Sequence, residues 1–163
     1  MAKNKEEKTN VMRVLEQKKI AYTPHSYPHE EGVAVDGVTV AKSMGFDPAI
    51  VFKTLVARGA SKQYYVFDVP VAENLDLKKA AKAVGEKSIE MLHQKELLPL
   101  TGYVHGGCSP VGMKKLFPTV IDASAEDLST MIVSAGKIGY QVELSPRDLA
   151  ALVRAKFADL IAE

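Results

Sequence analysis

The run Val51-Phe52-Lys53-Thr54-Leu55-Val56-Ala57-Arg58 is rich in apolar and β-branched residues. Such a run predicts a buried strand. A second apolar run covers residues 63–71, and the four residues between the two, Gly59-Ala60-Ser61-Lys62, are typical of a hairpin turn. We therefore predict a pair of antiparallel strands at the centre of the fold.

The elements on either side of this hairpin follow an irregular order. Before it we predict an amphipathic helix over residues 6–19, an edge strand over 20–27 that contains Pro24, and a helix capped by Asp36 or Thr39 and ended by Gly45. After it we predict helices over 77–84 and 93–98, strands over 88–92, 119–123, 130–134 and 139–144, and a C-terminal helix that begins at Ser145. This order predicts an α+β fold with a mixed, mostly antiparallel sheet, curled into a partial barrel and surrounded by helices. We expect a single domain over residues 1–163.

Composition excludes several classes of protein. The chain has 21 basic and 20 acidic residues, so bulk charge neither favours nor opposes nucleic-acid binding. No apolar run is long enough to span a membrane, and no secretory signal is predicted at the N-terminus. The single cysteine excludes an internal disulfide, and the four histidines lack metal-ligand spacing. We expect a cytoplasmic protein that binds no metal, no cofactor and no membrane.

The segment Gly106-Gly107-Cys108-Ser109-Pro110 is the clearest candidate for a site. Two glycines let a ligand approach the backbone closely, and the proline stiffens the turn. Backbone N–H groups presented in this way suit an oxyanion or a polarised carbonyl. A tight connection between two strands is the alternative, and the segment alone does not decide between them.

Lys53 is the second candidate, because it lies inside an apolar strand. Strand alternation places it on the same face as Val51 and Leu55. A buried ammonium is costly unless it reaches water, a partner or a ligand. It either extends along the sheet to solvent, or is turned outward by a bulge, or provides a cation at the floor of a pocket for a carboxylate, phosphate or oxyanion.

Other polar residues give weaker signals. Tyr27 ends the first strand, and Ser134, Gly136 and Lys137 belong to a glycine-flanked turn between two strands. Cys108 has no histidine placed by spacing to activate it, so an inert thiol is the simpler interpretation. Clusters of lysines, such as Lys78 with Lys79, indicate either solvated faces or contacts to the phosphates of an RNA end.

Several motifs occur in order along the chain and together resemble one family. They are Phe52-Lys53-Thr54-Leu55, Asp76-Leu77-Lys78-Lys79, Thr101-Gly102-Tyr103, Gly106-Gly107-x-Ser109-Pro110-x-Gly112, Pro118-Thr119-x-Ile121-Asp122 and Ser134-x-Gly136-Lys137-x-Gly139. This set resembles the YbaK/EbsC family of Cys-tRNA(Pro) deacylases, which are free-standing relatives of the editing domain of bacterial prolyl-tRNA synthetases. The resemblance covers about residues 11–159.

The resemblance implies an editing enzyme that removes cysteine, or a similar small amino acid, from mischarged tRNA. It implies catalytic roles for Lys53, Gly106 and Tyr27, and cleavage in which the substrate's own thiol attacks the ester, so that the protein needs no nucleophile. Residues implied to bind the substrate are Gly107, Ser109, Pro110, Ser134, Gly136, Lys137 and Gln141. The implied partners are the acceptor end of the mischarged tRNA and prolyl-tRNA synthetase.

One departure keeps an alternative open. The family commonly carries an aspartate where this chain has Gln141, and an amide keeps hydrogen bonding but loses the charge. The preferred amino acid, cysteine or alanine or another, is therefore undecided. A non-catalytic module of the same fold that binds aminoacyl-tRNA or a synthetase is the alternative function.

Overall fold

The computed structural model describes residues 8–163. The predicted hairpin is confirmed: β2 (Phe52–Gly59) pairs antiparallel with β3 (Tyr64–Pro70). In this register Lys53 lies opposite Val69, and Thr54 lies opposite Asp68. Lys53 and Asp68 thus lie on opposite faces of the sheet, because side chains alternate along each strand.

The strands form two sheets. The first has five strands in the order β4-β2-β3-β5-β8, where β4 is Ile89–Met91, β5 is Thr119–Asp122 and β8 is Lys156–Ala158. The second has the order β1-β7-β6, with β1 at Tyr22–Ser26, β6 at Met131–Lys137 and β7 at Tyr140–Leu144. Four of the strand pairs are antiparallel, and β3 with β5 and β5 with β8 are parallel. The α+β class is confirmed; in place of one curled sheet there are two, which do not close into a barrel.

Five α-helices accompany the sheets, and two of them, Gly37–Met44 and Leu77–Val84, begin and end where the sequence predicts. The five are α1 (Asn10–Gln17), α2 (Gly37–Met44), α3 (Leu77–Val84), α4 (Gln94–Thr101) and α5 (Pro146–Val153). Asp36 caps α2 through the N–H of Thr39, and α2 ends at Gly45 in the left-handed conformation. No helix among the described residues is long and apolar enough to cross a membrane.

Several elements differ from the sequence prediction. Helix α4 runs to Thr101 rather than to residue 98, and β1 ends at Ser26, so Tyr27 follows the strand instead of ending it. Helix α1 begins at Asn10, after its cap Thr9, rather than at residue 6; residues 6 and 7 lie outside the described part of the chain. Strand β8 was not predicted, because its three residues are too few to show a period. It pairs in parallel with β5 at the edge of the larger sheet.

Apolar residues fill the space between the sheets. One core cluster joins Phe52, Val56 and Val66 of the large sheet to Val133 and Val142 of the small sheet, and α1 and α5 pack against it. A second cluster places α3 on the outer face of the large sheet. A third packs α2 where the two sheets meet. Burial of these apolar faces makes the largest favourable contribution to the free energy of folding.

Candidate active site

A gap opens along one edge of β2. The N–H of Val71 donates to the carbonyl of Val51, and the N–H of Gly59 donates to that of Gln63. In these bonds the odd-numbered residues of β2 direct their N–H and C=O groups toward β3. The even-numbered residues therefore direct theirs toward the opposite edge of β2.

That opposite edge is only partly covered. Leu92 donates its N–H to the carbonyl of Val56, and Val51 bridges to Ile132 of β6. Thr54 lies between these two contacts, and no strand of the described chain pairs with its edge-facing N–H and C=O groups. A short piece of strand edge is therefore available to a ligand.

A cleft of about 260 Å³ occupies this gap. It brings together β2, the residues before and at the start of α2, the end of α4, the glycine loop and β6. Its lining residues are Val35, Asp36, Gly37, Phe52, Lys53, Thr54, Leu55, Leu97, His105, Gly106, Cys108 and Ser134. Three of the sequence-predicted residues, Lys53, Gly106 and Ser134, thus share one cleft.

Lys53 provides the positive charge of the cleft. The side chain is partly buried, and desolvation lowers its pKa, while the carboxylates of Asp36 and Glu73 oppose that shift. Within residues 8–163 no carboxylate lies within 4 Å of its ammonium. Asp36 is committed to capping α2, where its carboxylate accepts from the backbone and side chain of Thr39. Lys53 is therefore a cation placed for a bound anion or oxyanion.

The glycine loop is held tightly against two other segments. Gly106 has a φ of +90°, and a Cβ at this position would lie 2.7 Å from the Cβ of Ala34. A Cβ on Gly107 would lie 3.0 Å from the backbone nitrogen of Ile138. Gly106 thus requires glycine for both its packing and its backbone conformation, whereas a Cβ on Gly107 would press on the backbone of Ile138.

The loop divides into a part that lines the cleft and a part that shapes it. The N–H of Gly107 donates to the carbonyl of Val104, and the hydroxyl of Ser109 accepts from the N–H of Val111. Ser109 and Pro110 are buried and do not line the cleft. Gly106 and Cys108 do line it, and their N–H groups have no acceptor in the described chain.

Tyr27 and Gln141 lie on the face of the small sheet that carries Ser134. Gln141 is directly opposite Ser134, and the N–H of Tyr27 donates to Gly139 in the same register. Gln141 is 6% exposed, and its Oε1 has no hydrogen-bond partner in the described chain. Tyr27 is 4% exposed, and burial raises its pKa. Both therefore lie behind Ser134 rather than in the lining of the cleft.

Gly136 and Lys137 line a second cleft. This cleft has a volume of about 400 Å³, and its walls include His29, Tyr103 and Tyr140. The ammonium of Lys137 lies 5.6 Å from the centre of the Tyr140 ring. Val104 lines the second cleft and His105 lines the first, so the loop separates the two.

Thr54 lines the cleft and donates to the buried Asp68, and neither was predicted from the sequence as a site residue. Asp68 is 0% exposed and faces the core between the sheets. Its Oδ1 accepts the hydroxyl of Thr54 at 2.5 Å, and its Oδ2 has no partner in the described chain. Burial raises the pKa of Asp68 to about 7. The signal was present, since Asp68 interrupts an apolar run just as Lys53 does.

Cys108 is a buried thiol in the cleft wall. It is 8% exposed, and burial together with the nearby Asp68 raises its pKa to about 12. The thiol is therefore protonated at neutral pH, which makes Cys108 a poor nucleophile.

The geometry of this cleft agrees with comparisons to known proteins. Residues 32–152 match the model of the aminoacyl-tRNA editing domain, and this span includes the cleft. The chain belongs to the aminoacyl-tRNA editing domain family. A protein of Enterococcus faecalis, EbsC, is 45% identical over 161 residues, with 98% of each chain covered. It is named as a candidate Cys-tRNA(Pro)/Cys-tRNA(Cys) deacylase.

Solved structures share the fold of this editing-domain chain. One is a candidate trans-editing enzyme for prolyl-tRNA synthetase, with a TM-score of 0.79 and 26% identity over 94% of this chain and 95% of the other. Another, a hypothetical protein, has a TM-score of 0.82 at 20% identity over 93% and 99% of the two chains. The similarity to this hypothetical protein shows a shared fold and nothing more.

Buried Asp68 makes the stability of the protein depend on pH. Its pKa is about 7 in the folded state and about 3.8 without burial, so the folded state holds the proton more tightly. Stability is therefore lost as pH rises from 4 to 7, by about 4 kcal/mol at 1.4 kcal/mol per pKa unit. We expect Asp68→Asn to lack this loss, so that its unfolding free energy relative to wild type rises by about that amount between pH 4 and pH 8. Urea unfolding of both proteins at the two pH values measures the difference; an equal difference at both would contradict it.

Proposed function

We propose that this chain is a trans-editing deacylase that hydrolyses or cleaves the ester between a small amino acid and tRNA, with Cys-tRNA(Pro) as the main substrate. Its sequence likeness to EbsC over the whole chain supports this substrate. The single structural observation that carries the proposal is Lys53, whose ammonium has no ion-pair partner within residues 8–163 and lies in one cleft with the glycine loop.

The ester carbonyl binds to backbone donors in this proposal. The N–H groups of Gly106 and Cys108, together with the edge N–H of Thr54, are the donors available along the cleft. Fixed donors of this kind stabilise the oxyanion that forms as the carbonyl is attacked, and the loss of one typically costs 10²–10³-fold in rate. Gly106 packs closely against Ala34, and this packing positions the loop that carries two of these donors.

Lys53 orients the terminal adenosine through its phosphate or sugar oxygens, and it favours the productive position of the ester. The cleft, at about 260 Å³, is small compared with the roughly 300–1,000 Å³ of pockets for drug-sized ligands. Its size suits an aminoacyl group while the nucleotide remains at the mouth. A small pocket discriminates by only about 1–3 kcal/mol per methylene, which is why a synthetase needs a second site of this kind.

The remaining predicted residues act around this centre. Ser109 and Pro110 shape the loop, Ser134 lines the aminoacyl pocket, and Tyr27 and Gln141 support Ser134 from behind. Gly136 and Lys137 line the second cleft, where they contact the acceptor end of the tRNA. The near-neutral net charge agrees with weak intrinsic affinity for tRNA, so we propose that the protein acts in the cytoplasm, alongside prolyl-tRNA synthetase.

The test is direct. Purified protein is incubated with Cys-tRNA(Pro), Ala-tRNA(Pro) and Pro-tRNA(Pro), and the release of each amino acid is followed. We expect release of cysteine and retention of proline. No release from any of the three, together with retained binding of the charged tRNA, would identify instead the non-catalytic module that Gln141 leaves open.

A further inference from the structure

The contact between Thr54 and Asp68 connects the cleft to a buried acid. Thr54 is partly buried and lines the cleft, whereas Asp68 is 0% exposed behind it. The hydroxyl of Thr54 donates to Asp68 at 2.5 Å, which is the only side-chain hydrogen bond of this carboxyl in the described chain.

Stability does not account for a carboxyl group in this position. Its surroundings are apolar, since Phe52, Val56 and Val66 lie on the same face of the hairpin. A buried polar atom without a partner is destabilising, and Oδ2 of Asp68 has no partner among the described residues. Lys53 does not neutralise Asp68, because the two side chains point to opposite faces of the sheet.

The hydrogen-bond direction also restricts what Thr54 offers to a ligand. A threonine hydroxyl has one proton, and Thr54 gives that proton to Asp68. The oxygen of Thr54 therefore presents only lone pairs to the cleft. It accepts a proton or a hydrogen bond from a bound group, and a thiol is such a donor.

We propose that Thr54 and Asp68 form a proton relay that activates the thiol of the bound cysteinyl group. This inference rests on the proposed deacylase function and adds residues to its mechanism. The thiol passes its proton to Oγ1 of Thr54 while the hydroxyl proton of Thr54 moves to Oδ1 of Asp68. The thiolate attacks the ester carbonyl, and a carbon–sulfur bond forms.

The cycle closes without a further reactant. As the carbon–oxygen bond to the ribose breaks, the ribose oxygen leaves with the electron pair of that bond. It takes the proton back by the reverse transfer, from Asp68 to Thr54 and from Thr54 to the oxygen. The products are a cyclic thiolactone and uncharged tRNA, and Asp68 is again a carboxylate. Because burial raises the pKa of Asp68 to about 7, this acid exchanges protons near neutral pH, where a relay is most effective.

The experiment measures the single-turnover loss of the cysteinyl group from Cys-tRNA(Pro), followed as uncharged tRNA, between pH 5.5 and 9. Wild type should show a rate that rises with an inflection near pH 7, as Asp68 becomes a carboxylate. In Asp68→Asn the rate at pH 7.5 should fall about 100-fold, the size typical of general acid–base catalysis. Its inflection should move up toward the ordinary thiol pKa of about 8.5.

Thr54 supplies the second set of variants. Thr54→Val should lose rate as Asp68→Asn does, and Thr54→Ser should restore it to within a few-fold of wild type. Thr130→Val is the matched control, because Thr130 also donates to a carboxylate, Glu143, at 2.5 Å, but does not line the cleft. It should keep the wild-type rate and inflection.

Other titratable groups surround the relay. Cys108 lies near Asp68 on the glycine-loop side, with a pKa raised to about 12 by burial, and Lys53, Asp36 and His105 line the cleft. If His105→Gln instead of Asp68→Asn removes the inflection, the relay is overturned. Wild-type rate and inflection in both Asp68→Asn and Thr54→Val also overturn it. If wild type itself releases no cysteine, the proposed function fails, and the relay fails with it.

Discussion

Replacement of Lys53 by methionine should lower the rate of cysteine release from Cys-tRNA(Pro) at least about 100-fold, with little effect on stability. The lost group is the positive charge of the cleft, and electrostatic interactions of this type are worth 10²–10³-fold in rate. Methionine retains the apolar stem, so the apolar packing along β2 is preserved. Removing a desolvated ammonium that has no ion-pair partner in the described part of the chain should leave the unfolding free energy unchanged or slightly higher.

The measurement is single-turnover deacylation together with thermal unfolding. Lys87→Met is the matched control, because Lys87 is exposed and lies outside the cleft. Lys53→Arg keeps the positive charge but presents it on a larger, planar guanidinium. It should recover only part of the rate, since this group does not replace a compact ammonium. An unchanged rate in Lys53→Met would remove Lys53 from the site.

Replacement of Gly106 by alanine should abolish deacylation and destabilise the protein. Two effects combine: a residue with a Cβ is strained at a φ of +90°, and the new Cβ would lie 2.7 Å from that of Ala34. The strain alone costs roughly 1–2 kcal/mol. The clash must be relieved by movement of the loop, and a displacement of about 1 Å at a catalytic group is enough to cost about 10²-fold in rate.

Gly45→Ala separates these two effects. Gly45 has a similar φ of +81°, but a Cβ there would have no atom within 4 Å. We expect the unfolding free energy of this variant, measured in urea, to fall by the backbone strain alone. Its rate of cysteine release should equal that of wild type. If Gly106→Ala were as active as Gly45→Ala, the packing of the loop against Ala34 would have no role in catalysis.

The local features of the fold could be predicted because they depend on neighbouring residues. The caps at Asp36 and Asp76, the glycines that end α2 and α3, and the β2–β3 hairpin each follow from a short stretch of sequence. The separation into two sheets could not be predicted, because it depends on which distant strands pair. The strands β5 and β6 are consecutive in the chain yet belong to different sheets.

The candidate site could likewise be predicted only where it depends on neighbouring residues. Lys53 and the glycine loop stand out in the sequence, and the structure brings Lys53, Gly106 and Ser134 to one cleft. The roles of the predicted residues remain predictions. Thr54 gave no signal of its own, because a threonine in a strand is ordinary. Only the register, which sets it opposite Asp68, distinguishes it.

The uncovered edge of β2 has a consequence for solubility. A long unpaired strand edge is a template on which another chain can add a strand and begin to aggregate. Here the open part lies between the bridge to Ile132 and the bond from Leu92, so it is too short for a second strand to pair along it. This part of β2 thus presents backbone donors and acceptors to a small ligand without giving a second chain room to pair there.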